Sequence, residues 1–314
     1  VADIIKMVHP SVNPGDSHDA MYAYIAETRG YQAKMDKLPD DVKLFEALKR
    51  GESVKIPSIP FRALTNVKLS DAQWMDIARN MPFNTLRMNL NMLSRHNIFK
   101  NPEWLKEIAA KLAEADGNVF PYQLFTTFQN TTDLPMEINL ALQDAAEKAT
   151  ANVPVFGEGD VMVFIDVSGS MSSSATGYRP GVPTSSTRCV DVAGLMASCV
   201  LRQNKNAEVV MFDTRVHTTK LNPRDSIMTN AKIIAGFGGG GTDLGCAMRY
   251  ANQKGSTAKT VIYVSDNCSW AGGQWGTAVE WINYKRRVPT AKLVNIDIQP
   301  YVHSQLPDNK DVLN

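Results

Sequence analysis

The hydrophobic pattern of this chain changes period once, and that change restricts it to two architectures joined in series. Up to about Thr150 the apolar residues recur at helical spacing. After Asn152-Val153-Pro154 and on through Gly159, short continuous apolar runs alternate with helical segments. A helix-period pattern cannot sit as a strand, so residues 1–153 are expected to form a helical region and residues 154–314 an α/β domain.

In the first region Ser70 caps a helix, with Gln73 placed for a capping box. Trp74, Ile77, Ala78 and Met81 share one face of it. Pro82 opens the next helix, with Phe83, Leu86, Leu90 and Leu93 along a stripe. Asn101-Pro102-Glu103 supplies an N-cap, a proline at the first helical position and an acidic first turn. That helix buries Leu105, Ile108 and Leu112, and Gly117 ends it. Pro135 starts another, with Ile138, Leu142 and Ala146 inward. Helices of this length with short connections point to helical hairpins, as in a solenoid, although no sequence period proves a repeat.

In the second region Val161–Ile165 is apolar throughout, as expected of a parallel strand buried on both faces. Ala207–Phe212, Thr260–Val264 and Lys292–Ile298 are further strands, and Val216–Leu221 is placed to pair with the first of these. Val190–Val200, Asp225–Ile234, Leu244–Asn252 and Ala278–Tyr284 read as helices. The alternation predicts an open, mostly parallel, Rossmann-like sheet. Ser172–Thr187, rich in Ser, Gly and Pro, is expected to be a mobile loop.

Asp166-Val167-Ser168-Gly169-Ser170 directly follows the first buried strand, where open α/β sheets bind ligands. An Asp and two Ser at such a turn ordinarily do no more than cap a helix. Two other loops change that reading. Gly239-Gly240-Gly241-Thr242-Asp243 offers a hydroxyl just before a helix, and Ser265-Asp266-Asn267 follows the Thr260–Val264 strand at the same sheet edge. Asp166, Ser168, Ser170, Thr242 and Asp266 thus converge as hard oxygen donors, a set that suits a divalent metal, Mg²⁺ in particular.

Rival chemistries are weaker. Gly236 to Gly241 matches GxGxxG in letters, but it follows a helix rather than a strand. No P-loop occurs. A metal hydrolase would need a general base, and the five His, at 9, 18, 96, 217 and 303, are scattered. The four cysteines form no CxxC pair, which excludes the common zinc frameworks and points to a reducing compartment. No apolar run is long enough to span a membrane. Val1 to Lys6 has no signal-peptide organisation and reads as helix interior, so the chain is expected to begin inside a longer protein.

A net charge of +1 excludes a uniformly basic coat but not a local patch. Arg62, Lys68, Arg79, Arg87, Arg95 and Lys100 face only Asp71 and Asp76 in one stretch. Arg87, Asn91 and Arg95 line the side opposite the apolar stripe, and Arg and Asn can hold phosphates and base edges. For any one of them a solvated helix face is the simpler reading.

The three-loop donor set resembles the metal-ion-dependent adhesion site of von Willebrand A domains. Trp74 to Phe99, containing MPFNTLRMNLNMLSRHNIF, together with FPYQL at Phe120–Leu124 and ATANVP at Ala149–Pro154, resembles the TROVE module of the Ro autoantigen family. DVSGSMSS, LNPRDSIMTN, GGGGTDL, VSDN and DIQPY are similar to the bacterial branch of that family. The resemblance implies a ring of HEAT-like helices closed by a von Willebrand A domain, with no enzymatic activity of its own. It implies a cytoplasmic scaffold that binds small noncoding RNAs, the Y RNAs, and works with an exoribonuclease such as polynucleotide phosphorylase. A metal-dependent module that recruits a partner carboxylate is the alternative. Against the family pattern, much of the N-terminal repeat region is missing and the chain stops at Asn314 before the closing helix, so truncation at both ends is expected.

Overall fold

A computed structural model describes the chain except residues 12–14, 28–30, 53, 115–118, 132, 157–159, 177–185, 268–275 and 300–308. The described residues fall into two compact units, Val1–Ile108 and Ala109–Asn314, and the division lies within a helix.

The first unit is helical: α1 (Ala2–Val8), α2 (Ser17–Ala26), α3 (Asp40–Lys49), α4 (Phe61–Leu64), α5 (Asp71–Asn80), α6 (Phe83–Met88), α7 (Leu90–Arg95) and the start of α8 (Pro102–Ala113). The expected capping box at α5 is present: Gln73 N–H donates to Ser70 Oγ at 3.3 Å, and Ser70 N–H to Gln73 Oε1 at 3.0 Å. Asn101 Oδ1 caps α8 by accepting from Glu103 N–H at 2.9 Å. Trp74, Ile77, Ala78 and Met81 are buried, as are Leu86, Leu90 and Leu93. Trp74 stacks on His96 with ring centroids 4.3 Å apart. The helix expected after Pro82 is two helices, because the chain breaks at Asn89. Asn89 Nδ2 donates to Thr85 O at 2.7 Å, and its N–H turns to Leu86 O at 3.0 Å. A short amide competing for backbone partners is a common cause of such a break. Gly117 lies outside the described residues.

The second unit starts with α9 (Pro121–Asn130) and α10 (Met136–Ala149), followed by β1 (Val161–Asp166), α11 (Cys189–Gln203), β2 (Ala207–Phe212), β3 (Val216–His217), α12 (Ile227–Ile234), α13 (Leu244–Gln253), β4 (Thr260–Ser265), α14 (Gly276–Arg287), β5 (Lys292–Asp297) and β6 (Val312–Leu313). The sheet order is β3-β2-β1-β4-β5-β6. All pairings are parallel except β2–β3, which is antiparallel and shorter than expected. Every residue of the central strand β1 is buried, which is why its sequence is apolar throughout rather than alternating. Met162, Phe164, Val210, Phe212 and Tyr263 pack with α13 and α14 on one face. Val161, Val163, Ile165, Met211 and Val264 pack with α11 on the other. α11 and α12 approach closely at Gly194, where a Cβ would lie 2.9 Å from Ala231 O.

α9 and α10 precede the expected boundary at 153/154, yet they share the compact unit of the sheet. Glu147 on α10 explains much of the attachment. Its Oε2 pairs with Arg202 at 2.6 Å, and its Oε1 accepts from Ile227 N–H, at the start of α12, at 2.9 Å. One carboxylate thus neutralises a half-buried guanidinium and satisfies a helix N-terminus, where negative charge is favoured. Lys232 lies over the Phe128 ring at 5.4 Å. Glu147→Ala is expected to destabilise the second unit by about 1–3 kcal/mol, since it removes a charge-assisted hydrogen bond and orphans a donor. Asp144→Ala, exposed on the same helix, should change stability by less than about 0.5 kcal/mol. Urea denaturation compares the two, and equal midpoints would refute the assignment.

Candidate metal centre

Asp166 ends β1 and is fully buried. One hydroxyl and one backbone N–H hold its carboxylate. Ser265 Oγ, at the end of the adjacent β4, donates to Asp166 Oδ2 at 2.7 Å. Ser168 N–H donates to Oδ1 at 2.9 Å. The next turn is a short 3-10 segment, Gly169–Ser172, which places Ser168 Oγ 3.2 Å from Ser170 Oγ. Ser168 is buried and Ser170 exposed. Asp266, directly after β4, is 1% exposed, and its charge acts on Asp166.

The glycine loop is stitched to the first loop through the backbone. Gly239 N–H donates to Val167 O at 2.9 Å, and Gly169 N–H donates to Gly240 O at 2.8 Å. Gly238 has φ +88°, and a Cβ there would lie 1.8 Å from Val167 O, so no other residue fits this crossing. Thr242 follows two residues beyond Gly240 and is buried. The structure therefore gathers the three loops at one sheet edge, with Ser168 in contact with both Asp166 and Ser170.

Burial pushes the Asp166 carboxyl above its ordinary range. The hydrogen bonds from Ser265 and Ser168 pull it down without cancelling the rise, and nearby Asp266 adds to it. Two carboxylates withdrawn from water beside three hydroxyls form a site where a hard cation would relieve an unfavourable charge. Among the described residues no three His, Cys, Asp or Glu side chains cluster as a metal site. The donor set here has only two carboxylates, so it would depend on hydroxyls and waters, as Mg²⁺ sites commonly do.

Two contributors went unrecognised from sequence. In sequence Ser265 stands out only as a neighbour of Asp266, yet it is the hydroxyl that fixes Asp166. Asp213 follows β2 at the same edge. Its backbone O accepts from Asp243 N–H at 2.9 Å, and its carboxylate pairs with His217 at 3.1 Å. Burial would raise the Asp213 carboxyl, but the bonds from Arg215 N–H and His217 hold it low. The available signal was its place: an acid at the C-terminal end of a predicted parallel strand.

The RNA-binding candidates lie in the first unit. Arg87 closes α6, half-buried, with Nε donating to Asn84 Oδ1 at 2.8 Å. Asn91 and Arg95 are exposed on α7. Arg79, expected to face only Asp71 and Asp76, is held by Glu107 through two hydrogen bonds of 2.8 and 3.0 Å as well as by Asp76; it is a structural cation. Of the Ser172–Thr187 loop, 177–185 lie outside the described residues, and its ends are closed by an antiparallel bridge between Ser174 and Arg188. Cys189, Cys199 and Cys246 are free thiols, and burial pushes Cys199 and Cys246 up to about 12.

Residues 160–311 match the family model described as the Ro60 vWA domain. The α/β domain of this chain is thus similar to the Ro60 vWA domain. Along the whole chain the fold is similar to the crystal structure of Deinococcus radiodurans RO (RSR) protein, with a TM-score of 0.65 and 20% identity. That alignment covers 99% of this chain and 66% of the other, so the chain spans just under two thirds of its length. No match was found among curated proteins. The expected pairing of HEAT-like helices with a Ro-type von Willebrand A domain is therefore the observed fold. Among the described residues no helix is long and apolar enough to cross a membrane.

Asp166→Asn keeps the shape of the side chain and can preserve both hydrogen bonds while removing the buried charge. In chelator this variant is expected to melt a few degrees above the parent chain. In millimolar Mg²⁺ the parent should gain stability and the variant should not. Thermal melts with and without Mg²⁺ check this, and a variant that still responds to the ion would rule out Asp166 as a ligand.

Proposed function

We propose that this chain is an RNA-binding scaffold of a small noncoding-RNA ribonucleoprotein, with the von Willebrand A domain serving as its protein-docking half. The observation that carries this reading is the match of residues 160–311 to the Ro60 vWA domain, on a chain whose fold is similar to that of the Deinococcus radiodurans RO protein. In this reading Arg87, Asn91 and Arg95 contact RNA. The RNA is Y RNA-like, and the scaffold hands it to an exoribonuclease, polynucleotide phosphorylase being one candidate, in the cytoplasm. The chain itself does no chemistry. Among the described residues, the His near the metal-type edge, His217, is engaged by Asp213.

Asp166, Ser168, Ser170, Thr242 and Asp266 would hold a divalent ion, most naturally Mg²⁺. With few anionic ligands the ion would remain electrophilic and take a carboxylate oxygen from a partner. The burial of Asp166 and its contacts with Ser265 and Ser168 support this assignment.

RNA affinity should fall steeply as salt rises, because phosphate contacts release counterions. Arg87→Glu with Arg95→Glu should weaken binding by roughly tenfold or more and flatten the salt dependence. Fluorescence anisotropy with a single-stranded RNA measures both, and unchanged affinity would remove this face from the interface. Chelation separates the two halves. Pull-downs in chelator should lose the protein partner while RNA binding persists, whereas loss of both together would contradict the division of labour.

A further inference from the structure

We propose that the sheet edge opposite the metal-type edge is a second docking surface, one that takes an RNA phosphate backbone. The parallel strands place it there. Lys259 directly precedes β4 and Lys292 opens β5, and Lys292 N–H donates to Lys259 O at 2.8 Å. α14 runs back against the strands and ends at the same edge with Lys285, Arg286 and Arg287. Arg287 Nη1 donates to Ser256 O at 3.2 Å, which fixes that end beside the start of β4. Lys310 joins them, its carbonyl accepting from Lys292 Nζ at 2.9 Å.

Near these six cations lie Asp160, Glu280 and Asp311, and at the start of β2 Glu208 is paired with Lys254 at 2.5 Å. Asp311 is gripped by Lys285 at 3.2 Å and Lys292 at 2.6 Å. Glu280 accepts from Asn252 at 2.8 Å. Lys259, Arg286 and Lys310 remain exposed and take part in no ion pair among the described residues. In a chain whose net charge is only +1, such an excess on one edge is a segregation of charge. Segregated positive charge of this kind attracts polyanions.

A cleft of about 410 Å³ opens at this edge, lined by Trp281, Ile282, Lys285, Arg286 and Lys310 among others. Its rim is cationic, and Ile282 is 52% exposed beside it. Ammonium and guanidinium groups spread along an edge suit the repeated charges of a phosphodiester chain, and the apolar cleft between them offers a base a place to lie. The surface shares no residue with the helical face or with the metal-type loops, so it stands whether or not either of those readings does.

The test is the full chain carrying Lys259→Glu, Arg286→Glu and Lys310→Glu. It is made both alone and with Arg87→Glu and Arg95→Glu, so that the helical face is read separately. Anisotropy with a fluorescein-labelled oligouridylate should show affinity reduced by about tenfold or more, with the log–log salt slope shallower by about two. The corresponding Gln variants, which remove charge without reversing it, should lose less in the same direction, and melting curves confirm that each variant is folded. Unchanged affinity and slope in both backgrounds would overturn the proposal. So would equal displacement of the RNA by polyglutamate at matched charge, which would mark the edge as a surface for acidic protein.

Discussion

Asp166 is a carboxylate at the end of a strand from which water is excluded, and the rest of the α/β unit is arranged around that position. β1 is the central strand, buried on both faces, so its last residue cannot reach solvent. Only the strand ends on either side can supply partners. Ser265 comes from β4, and the backbone of the Asp213 loop extends from β2 to the glycine loop that carries Thr242. Isolated buried charge is costly, and the hydrogen bonds present do not restore the carboxyl to its ordinary range. This residual imbalance, together with the oxygen donors gathered around it, supports the proposal that a divalent cation binds here.

Much of this was legible in the chain itself. Asp166, Ser168 and Ser170 lie within five residues, and their place follows from a strand that any hydrophobic pattern reveals. Thr242 and Asp266 follow the same logic, one before a helix and one after a strand. The capping box at Ser70 and Gln73 and the cap at Asn101 are local chemistry, and local chemistry is readable. The fold class follows from the change of period.

What stayed hidden depends on contacts far apart in sequence. Ser265 reaches Asp166 across 99 residues, and nothing near either one announces the pair. Glu147 could be seen as a helical acid but not as the cap of α12. The break at Asn89 turned on one amide choosing Thr85 O, a competition that periodicity does not register. Arg79 looked like a member of a basic face until Glu107, on another helix, took it. The basic edge draws on three separate stretches around residues 259, 285–292 and 310. It became visible only once the parallel strands had laid their N-terminal ends together.

The two halves of the α/β domain thus differ in chemistry. One sheet edge gathers buried oxygen donors, and the other gathers exposed cations. Soaking crystals of the chain in Mn²⁺ and recording anomalous diffraction tests the central claim most directly. The account predicts a single strong peak about 2.1 Å from oxygens of the Asp166, Ser168, Ser170 and Thr242 set. An empty map at that edge, or a peak only elsewhere on the surface, would contradict it.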